Sequence, residues 1–144
     1  IFTNHPPPGE PTTRPPMKTR ILLMISLLGM LLGSCSSNLN FTTLGVDKFE
    51  TFVARPGVQL VDVRTPAEYL DGHLDGAQNI DMQADDFIDV ARARLDRRKP
   101  VAVYCRSGKR SARAAQMLAD AGFKVTNLAG GINDWKVADK KIVK

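Results

Sequence analysis

The chain has 144 residues with a formal net charge of +5, and only two of its residues are cysteine, which excludes a scaffold held together by disulfides. Residues 1–34 contain Arg14, Lys18, Arg20 and Glu10; removing these from the 20 Lys and Arg and the 15 Asp and Glu leaves +3, too mild a charge to point to nucleic acid.

Ile1 to Pro16 is proline-rich and without periodicity, and reads as an upstream leader outside any fold. Met17-Lys18-Thr19-Arg20 followed by the apolar run Ile21 to Leu32 has the form of a secretory signal. As a helix, that run of twelve residues would span about 18 Å against about 30 Å of bilayer hydrocarbon, too short for a permanent span. The run closes in Leu32-Gly33-Ser34-Cys35, which resembles the lipobox of bacterial lipoproteins. That resemblance implies that Cys35 becomes an acylated first residue. Acyl chains contribute about 0.8 kcal/mol per buried methylene and would tether the protein to a membrane. The expected organisation is therefore a leader at 1–16, a signal peptide at 17–34, a lipidated Cys and tether at 35–41, and one domain at 42–144. That domain would lie at the cell envelope, in the periplasm or outside.

Within the domain, Phe49, Phe52 and Val53 recur at helical spacing from Val46, and Pro56-Gly57 ends the pattern. Val58 to Val63 is short and β-branched, hence a strand. Thr65 is placed to cap a short helix over Pro66 to Leu70, with Pro66 at its first position. Ala77 to Ile80 suggests a brief strand. Asp85 and Asp86 open a helix whose stripe, Phe87 or Ile88, Ala91 and Leu95, runs into the solvated cations Arg97-Arg98-Lys99 and stops at Pro100. Val101 to Cys105 predicts a strand. Ala114 or Ala115, Leu118 and Ala119 give the next helix an inward face, and Gly122 is placed to cap it. Val125 to Leu128 reads as the last strand, before a short terminal helix around Ile132 to Trp135. Strands alternating with helices predict a single α/β domain with a mainly parallel central sheet flanked by helices. In such sheets, sites lie beyond the carboxyl ends of strands, which is where Cys105 falls.

Cys105 opens the stretch Arg106-Ser107-Gly108-Lys109-Arg110-Ser111, which leads into a helix. Ser107 and Gly108 let the backbone turn so that successive N–H groups converge on one centre, and Arg106, Lys109 and Arg110 add positive field; both favour thiolate over thiol. Cations at a helix start are disfavoured by about 0.3–1 kcal/mol each, and a bound anion offsets that cost. Arg64 and Glu68, four apart around a proline turn, predict an ion pair that, with Asp62 and Ser111, supports the loop. His73 has no second His or Cys at ligand spacing, so neither a metal nor another cofactor is expected. If Cys35 is lipidated, Cys105 is a lone thiol in an oxidising compartment, which suggests chemistry; a Cys35–Cys105 disulfide is the alternative if Cys35 is unmodified.

Three segments in order carry a wider resemblance. They are Asp62-Val63-Arg64-Thr65-Pro66-Ala67-Glu68-Tyr69 with Gly72-His73-Leu74 and Gly76 to Ile80; the loop Cys105 to Ser111; and Gly130-Gly131-Ile132 with Trp135. Over Phe41 to Lys144 the chain resembles the rhodanese family, departing from it at Leu74, where Ile is usual. The resemblance implies a sulfurtransferase in which Cys105 cycles between thiolate and persulfide. A small anionic donor such as thiosulfate would load it, and a thiophilic acceptor, cyanide, a thiol or a protein thiol, would discharge it. The loop amides and Arg110 would hold the anion, and a monomer is expected. Related phosphatases place five residues between Cys and Arg, whereas four separate Cys105 from Arg110, a smaller ring that suits sulfur better than phosphate. A membrane-tethered persulfide carrier or partner-binding module with little turnover is the alternative from another class. An exposed, acidified thiol could also serve as a redox sensor, although no resolving Cys is present.

Overall fold

A computed structural model describes Gly9 and residues 38–144 of the chain, and Asn38–Lys144 forms one compact unit. The expected leader, signal peptide and Cys35 lie outside the described residues. The elements in chain order are β1 (Thr42–Leu44), α1 (Val46–Val53), β2 (Gln59–Asp62), α2 (Pro66–Asp71), β3 (His73–Leu74), β4 (Gln78–Asn79), α3 (Phe87–Arg94), β5 (Val101–Tyr104), α4 (Lys109–Asp120), β6 (Val125–Leu128), α5 (Gly131–Val137) and β7 (Ile142–Val143). Five strands form a parallel sheet in the order β1-β6-β5-β2-β4, and β3 pairs with β7 as a separate antiparallel ribbon.

Alternation along β5 builds the core on both sheet faces, because successive side chains of a strand point to opposite sides. Val101 and Val103 pack with Phe87 and Ala91 of α3 and with Ala114, Ala115 and Leu118 of α4. Ala102 and Tyr104 pack on the other face with Phe49 of α1 and with Ile132 and Trp135 of α5. All four β5 residues are fully buried, as expected of a central parallel strand covered twice. The α/β architecture with a mainly parallel sheet matches the expectation from sequence.

Several boundaries differ from it. Three strands had no counterpart in the sequence reading, β1, β3 and β7, and Val125–Leu128 is not the last. Strands of two or three residues carry too few alternations to produce a period. The third helix ends at Arg94, and Leu95 leaves it in an extended conformation while still reaching the core. Arg97-Arg98-Lys99 lies beyond it in a turn, because the Asp96 carboxylate accepts the Arg98 backbone N–H at 2.9 Å and so favours a local turn over another helical one. Asp86 sits at the N-cap without a side-chain capping bond, and Asp85 precedes it.

Strand order sets the position of the site. From β2 the chain crosses through α2 to β4 on one side, whereas from β5 it crosses through α4 to β6 on the other. The two connections diverge above the neighbouring carboxyl ends of β2 and β5 and leave a crevice there, the usual position for a site in an open parallel sheet.

Candidate active site

Cys105 is the first residue beyond β5, a free thiol with no solvent exposure. The burial corrects the expectation of an exposed thiol: a reagent must pass the loop to reach the sulfur. Gly108 reverses the chain at φ +92°, and a Cβ there would stand 3.1 Å from the Gly130 nitrogen and 3.3 Å from the Leu128 carbonyl oxygen. Glycine meets both demands. Its N–H donates to Cys105 Sγ at 3.1 Å, and α4 starts at the next residue, so the unpaired N–H groups of the first helical turn gather around the sulfur. Burial, the largest single influence, pushes the thiol up. The Ser111 hydroxyl and the backbone N–H groups of Ser111, Gly108 and Ser107 together outweigh it and leave the thiol below its ordinary value.

The start of α5 grips this loop from outside. Ile132 N–H donates to the Cys105 carbonyl at 2.9 Å, and Asn133 N–H donates to the Arg106 carbonyl at 3.1 Å. In a planar trans peptide the C=O and N–H point in opposite directions, so anchoring these carbonyls outward turns the N–H groups of Arg106 and Ser107 inward. Gly131, at φ +61°, makes the grip possible, since a Cβ there would collide with the carbonyl oxygens of Cys105 and Arg106. In sequence, Gly130-Gly131 is visible only as part of the closing segment with Ile132 and Trp135; its role beneath the thiol loop needed the structure.

On the β2 side, Thr65 and Glu68 form a reciprocal capping box at the start of α2. The Glu68 carboxylate then takes both Arg110 guanidinium nitrogens, at 2.8 and 2.7 Å. Arg110, against burial and with help from Thr65, holds the Glu68 carboxyl at about 2. The expected Arg64–Glu68 pair does not form. Arg64 turns into the protein, where it is almost fully buried and binds the Asp62 carboxylate at 2.6 to 3.0 Å and the Gly72 carbonyl at 2.7 Å. The capping box aims Glu68 across to α4, and the buried carboxylate of Asp62 claims Arg64; each acid therefore has a different arginine. Asp62 also accepts the Tyr104 hydroxyl at 2.7 Å, which in turn accepts the Leu74 N–H at 3.0 Å. Burial beside Asp62 pushes the Tyr104 phenol up, so it stays a donor. Tyr104 was not singled out in the sequence, although a hydroxyl ending an apolar strand next to Cys105 is a visible signal.

Arg106, Ser107 and Lys109 are exposed, and neither Arg106 nor Lys109 has an ion pair among the described residues. The rim of the loop is thus cationic, whereas the Arg110 charge is shared with Glu68. His73 stacks on Tyr69 with ring centroids 3.7 Å apart. Among the described residues no group of three His, Cys, Asp or Glu side chains could hold a metal, and no helix is long and apolar enough to cross a membrane.

Comparison with known proteins agrees with this geometry. The family model of the rhodanese-like domain matches residues 46–138. The chain is 40% identical over 86 residues to the uncharacterized protein YqhL of Bacillus subtilis, aligning 58% of this chain with 66% of that protein. To the thiosulfate sulfurtransferase GlpE of Shewanella oneidensis it is 34% identical over 101 residues, 69% of this chain and 97% of that enzyme. A rhodanese-related protein from Thermoplasma volcanium superimposes with a TM-score of 0.64 at 25% identity, over 72% of this chain and 98% of that one. Because the matched stretch covers more than half of the chain and takes in every helix from α1 to α5, the chain belongs to the family of rhodanese-like domains.

Proposed function

We propose that this domain is a sulfurtransferase that carries a sulfane sulfur on Cys105 as a persulfide. The observation that carries the reading is the Cys105 sulfur held under converging N–H donors at the start of α4, with its thiol acidified against the effect of burial. Thiosulfate fits as donor, being a small dianion that the cationic rim of Arg106 and Lys109 would attract, and relatives named thiosulfate sulfurtransferase support it. The Cys105 thiolate attacks the outer sulfur of thiosulfate. The sulfur–sulfur bond of the donor breaks, and its electron pair leaves with sulfite. A thiophile such as cyanide or a thiolate then takes the outer sulfur from Cys105, which departs as thiolate. No separate general base is invoked, because the same N–H donors that lower the thiol favour its thiolate form, and the loop amides stabilise the charge in each state.

The four-residue spacing between Cys105 and Arg110 closes the cradle around one sulfur atom and is too tight for the three equatorial oxygens of a phosphoryl group. We also propose that Cys35 is lipidated and holds the domain at the cell envelope, a reading that rests on the Leu32-Gly33-Ser34-Cys35 motif. Cys105→Ser is expected to abolish thiocyanate formation from thiosulfate and cyanide while leaving the thermal transition in place. Intact mass after thiosulfate should show one added sulfur on the wild type and none on the variant. Hydrolysis of an aryl phosphate faster than turnover of thiosulfate, with both lost in Cys105→Ser, would replace this reading with a phosphatase. A stoichiometric persulfide that no small thiophile discharges would replace it with a carrier.

A further inference from the structure

Ser111 is fully buried in the first turn of α4, and its hydroxyl oxygen has no hydrogen-bond partner among the described residues. An unpaired buried hydroxyl is costly, and Ala114 and Ala115, one turn further along the same face, show that alanine fits this side of the helix. Gly108, whose N–H donates to Cys105 Sγ at 3.1 Å, caps the helix that carries Ser111 in its first turn, and Ser111 and Cys105 are both fully buried at this helix start. Ser111 is also among the groups that favour ionisation of the thiol. A thiol sulfur is a weak acceptor and a thiolate a strong one, so this donor finds its partner only when Sγ is charged.

Building on the sulfurtransferase reading, we propose that the Ser111 hydroxyl is a catalytic hydrogen-bond donor to Cys105 Sγ, stabilising Sγ as the leaving group when the persulfide is discharged. In the loaded state the charge sits on the outer sulfur, which the backbone N–H groups of the loop hold. When cyanide attacks that outer sulfur, the bond from Sγ to the outer sulfur breaks and the electron pair stays on Sγ; thiocyanate leaves, and Ser111 donates to the charge that remains. Loading runs the other way at Sγ, consuming the charge and giving up the hydrogen bond. The hydroxyl therefore assists discharge specifically, where a merely structural role would affect both half-reactions alike.

The charged groups around the thiol loop are Arg106 on the loop itself, Lys109 and Arg110 of α4, Glu68 of α2 as the partner of Arg110, and the Asp62–Arg64 pair at the end of β2. Glu68, held at about 2, and Arg110, raised by that partner, keep their charge from about pH 5 to 9, so the difference between the Cys105 profiles of wild type and Ser111→Ala over that range reports the bond to sulfur.

The test uses the full chain with Ser111→Ala and Ser111→Thr, following Cys105 alkylation by iodoacetamide against pH by peptide mass, and timing loading by thiosulfate and discharge by cyanide separately. Ser111→Ala is expected to raise the alkylation midpoint by about half a unit to one unit. Discharge should slow about tenfold while loading at alkaline pH, which no longer has a hydrogen bond to give up, is not slowed. Ser111→Thr, which keeps the hydroxyl, should restore both. An unchanged midpoint in Ser111→Ala, or equal slowing of the two half-reactions, overturns the proposal. If the threonine variant shows no cooperative thermal transition, the alanine profile decides. Absence of any added sulfur on the wild type would sink the sulfurtransferase reading and with it the leaving-group role, whereas a shifted midpoint would still establish the hydrogen bond to sulfur.

Discussion

Glu68 shows how one side chain can serve a helix cap and a site at once. It closes the box with Thr65 and clamps Arg110 by a bidentate pair whose side chains are 28% and 25% exposed. Its carboxyl lies at about 2 in the folded state against an ordinary 4.5, so the charge stabilises the fold fully above pH 4.5. That contribution is lost as pH falls through about 2. Glu68→Gln keeps the capping geometry, since glutamine serves in the same box, but removes the charge. The variant is expected to be less stable than the wild type by about 1–2 kcal/mol at pH 7, after allowance for solvent screening. The difference should shrink toward zero near pH 2. Urea unfolding at a series of pH values measures it, and a difference independent of pH would mean that the pair contributes through packing and not through charge.

Two helix starts share the work around Cys105: α4 offers donors to the sulfur, and α5 fixes the peptides that bear some of those donors. The tightest point between them is Gly131. Gly131→Ala would force a β-carbon against the carbonyl oxygens of Cys105 and Arg106 at a positive φ, a strain of about 2 kcal/mol or more. Sulfur transfer is expected to fall at least about tenfold, because misplacing preorganised donors by about 1 Å is costly. Gly45→Ala is the matched control: it caps α1 at φ −72° with open space around its Cβ, and should cost less than about 1 kcal/mol. Comparable losses in both variants, measured by Tm and thiosulfate turnover, would show that the α5 grip is not what positions the loop. The brief strands β1, β3 and β7 owe their pairing to β6 and to each other and have little pattern of their own in the sequence.

Both core clusters, the Asp62–Arg64–Tyr104 network and the thiol loop are built from residues of the Asn38–Lys144 unit. A domain of this size buries enough apolar surface to fold without disulfides. Residues 38–144 expressed alone are therefore expected to show the thermal transition and thiosulfate turnover of the full chain. Metabolic labelling with a fatty-acid analogue should mark the wild type and not Cys35→Ser, whose domain should transfer sulfur normally once off the membrane. A fragment that fails to fold would place part of the core in residues 1–37. Equal labelling of the two proteins would end the lipoprotein reading.

Local chemistry accounts for how much could be read from the chain directly. The Thr65 cap, the Pro66 helix start, the central strands and the loop after Cys105 rest on interactions within a few residues, and each is visible as spacing or residue type. Partner choice among charges is different, because Arg110 and Glu68 lie 42 positions apart and meet only once β2 and β5 pair. The nearer candidate, Arg64, is withdrawn by a carboxylate that burial obliges to be satisfied. For the same reason the burial of Cys105, the unpartnered Ser111 hydroxyl and the place of Gly131 against the loop follow from how α4, α5 and the sheet close on one another. Sequence spacing names the candidate nucleophile; long-range packing sets the donors that face it, since their directions depend on peptides anchored by a helix that begins 26 residues later.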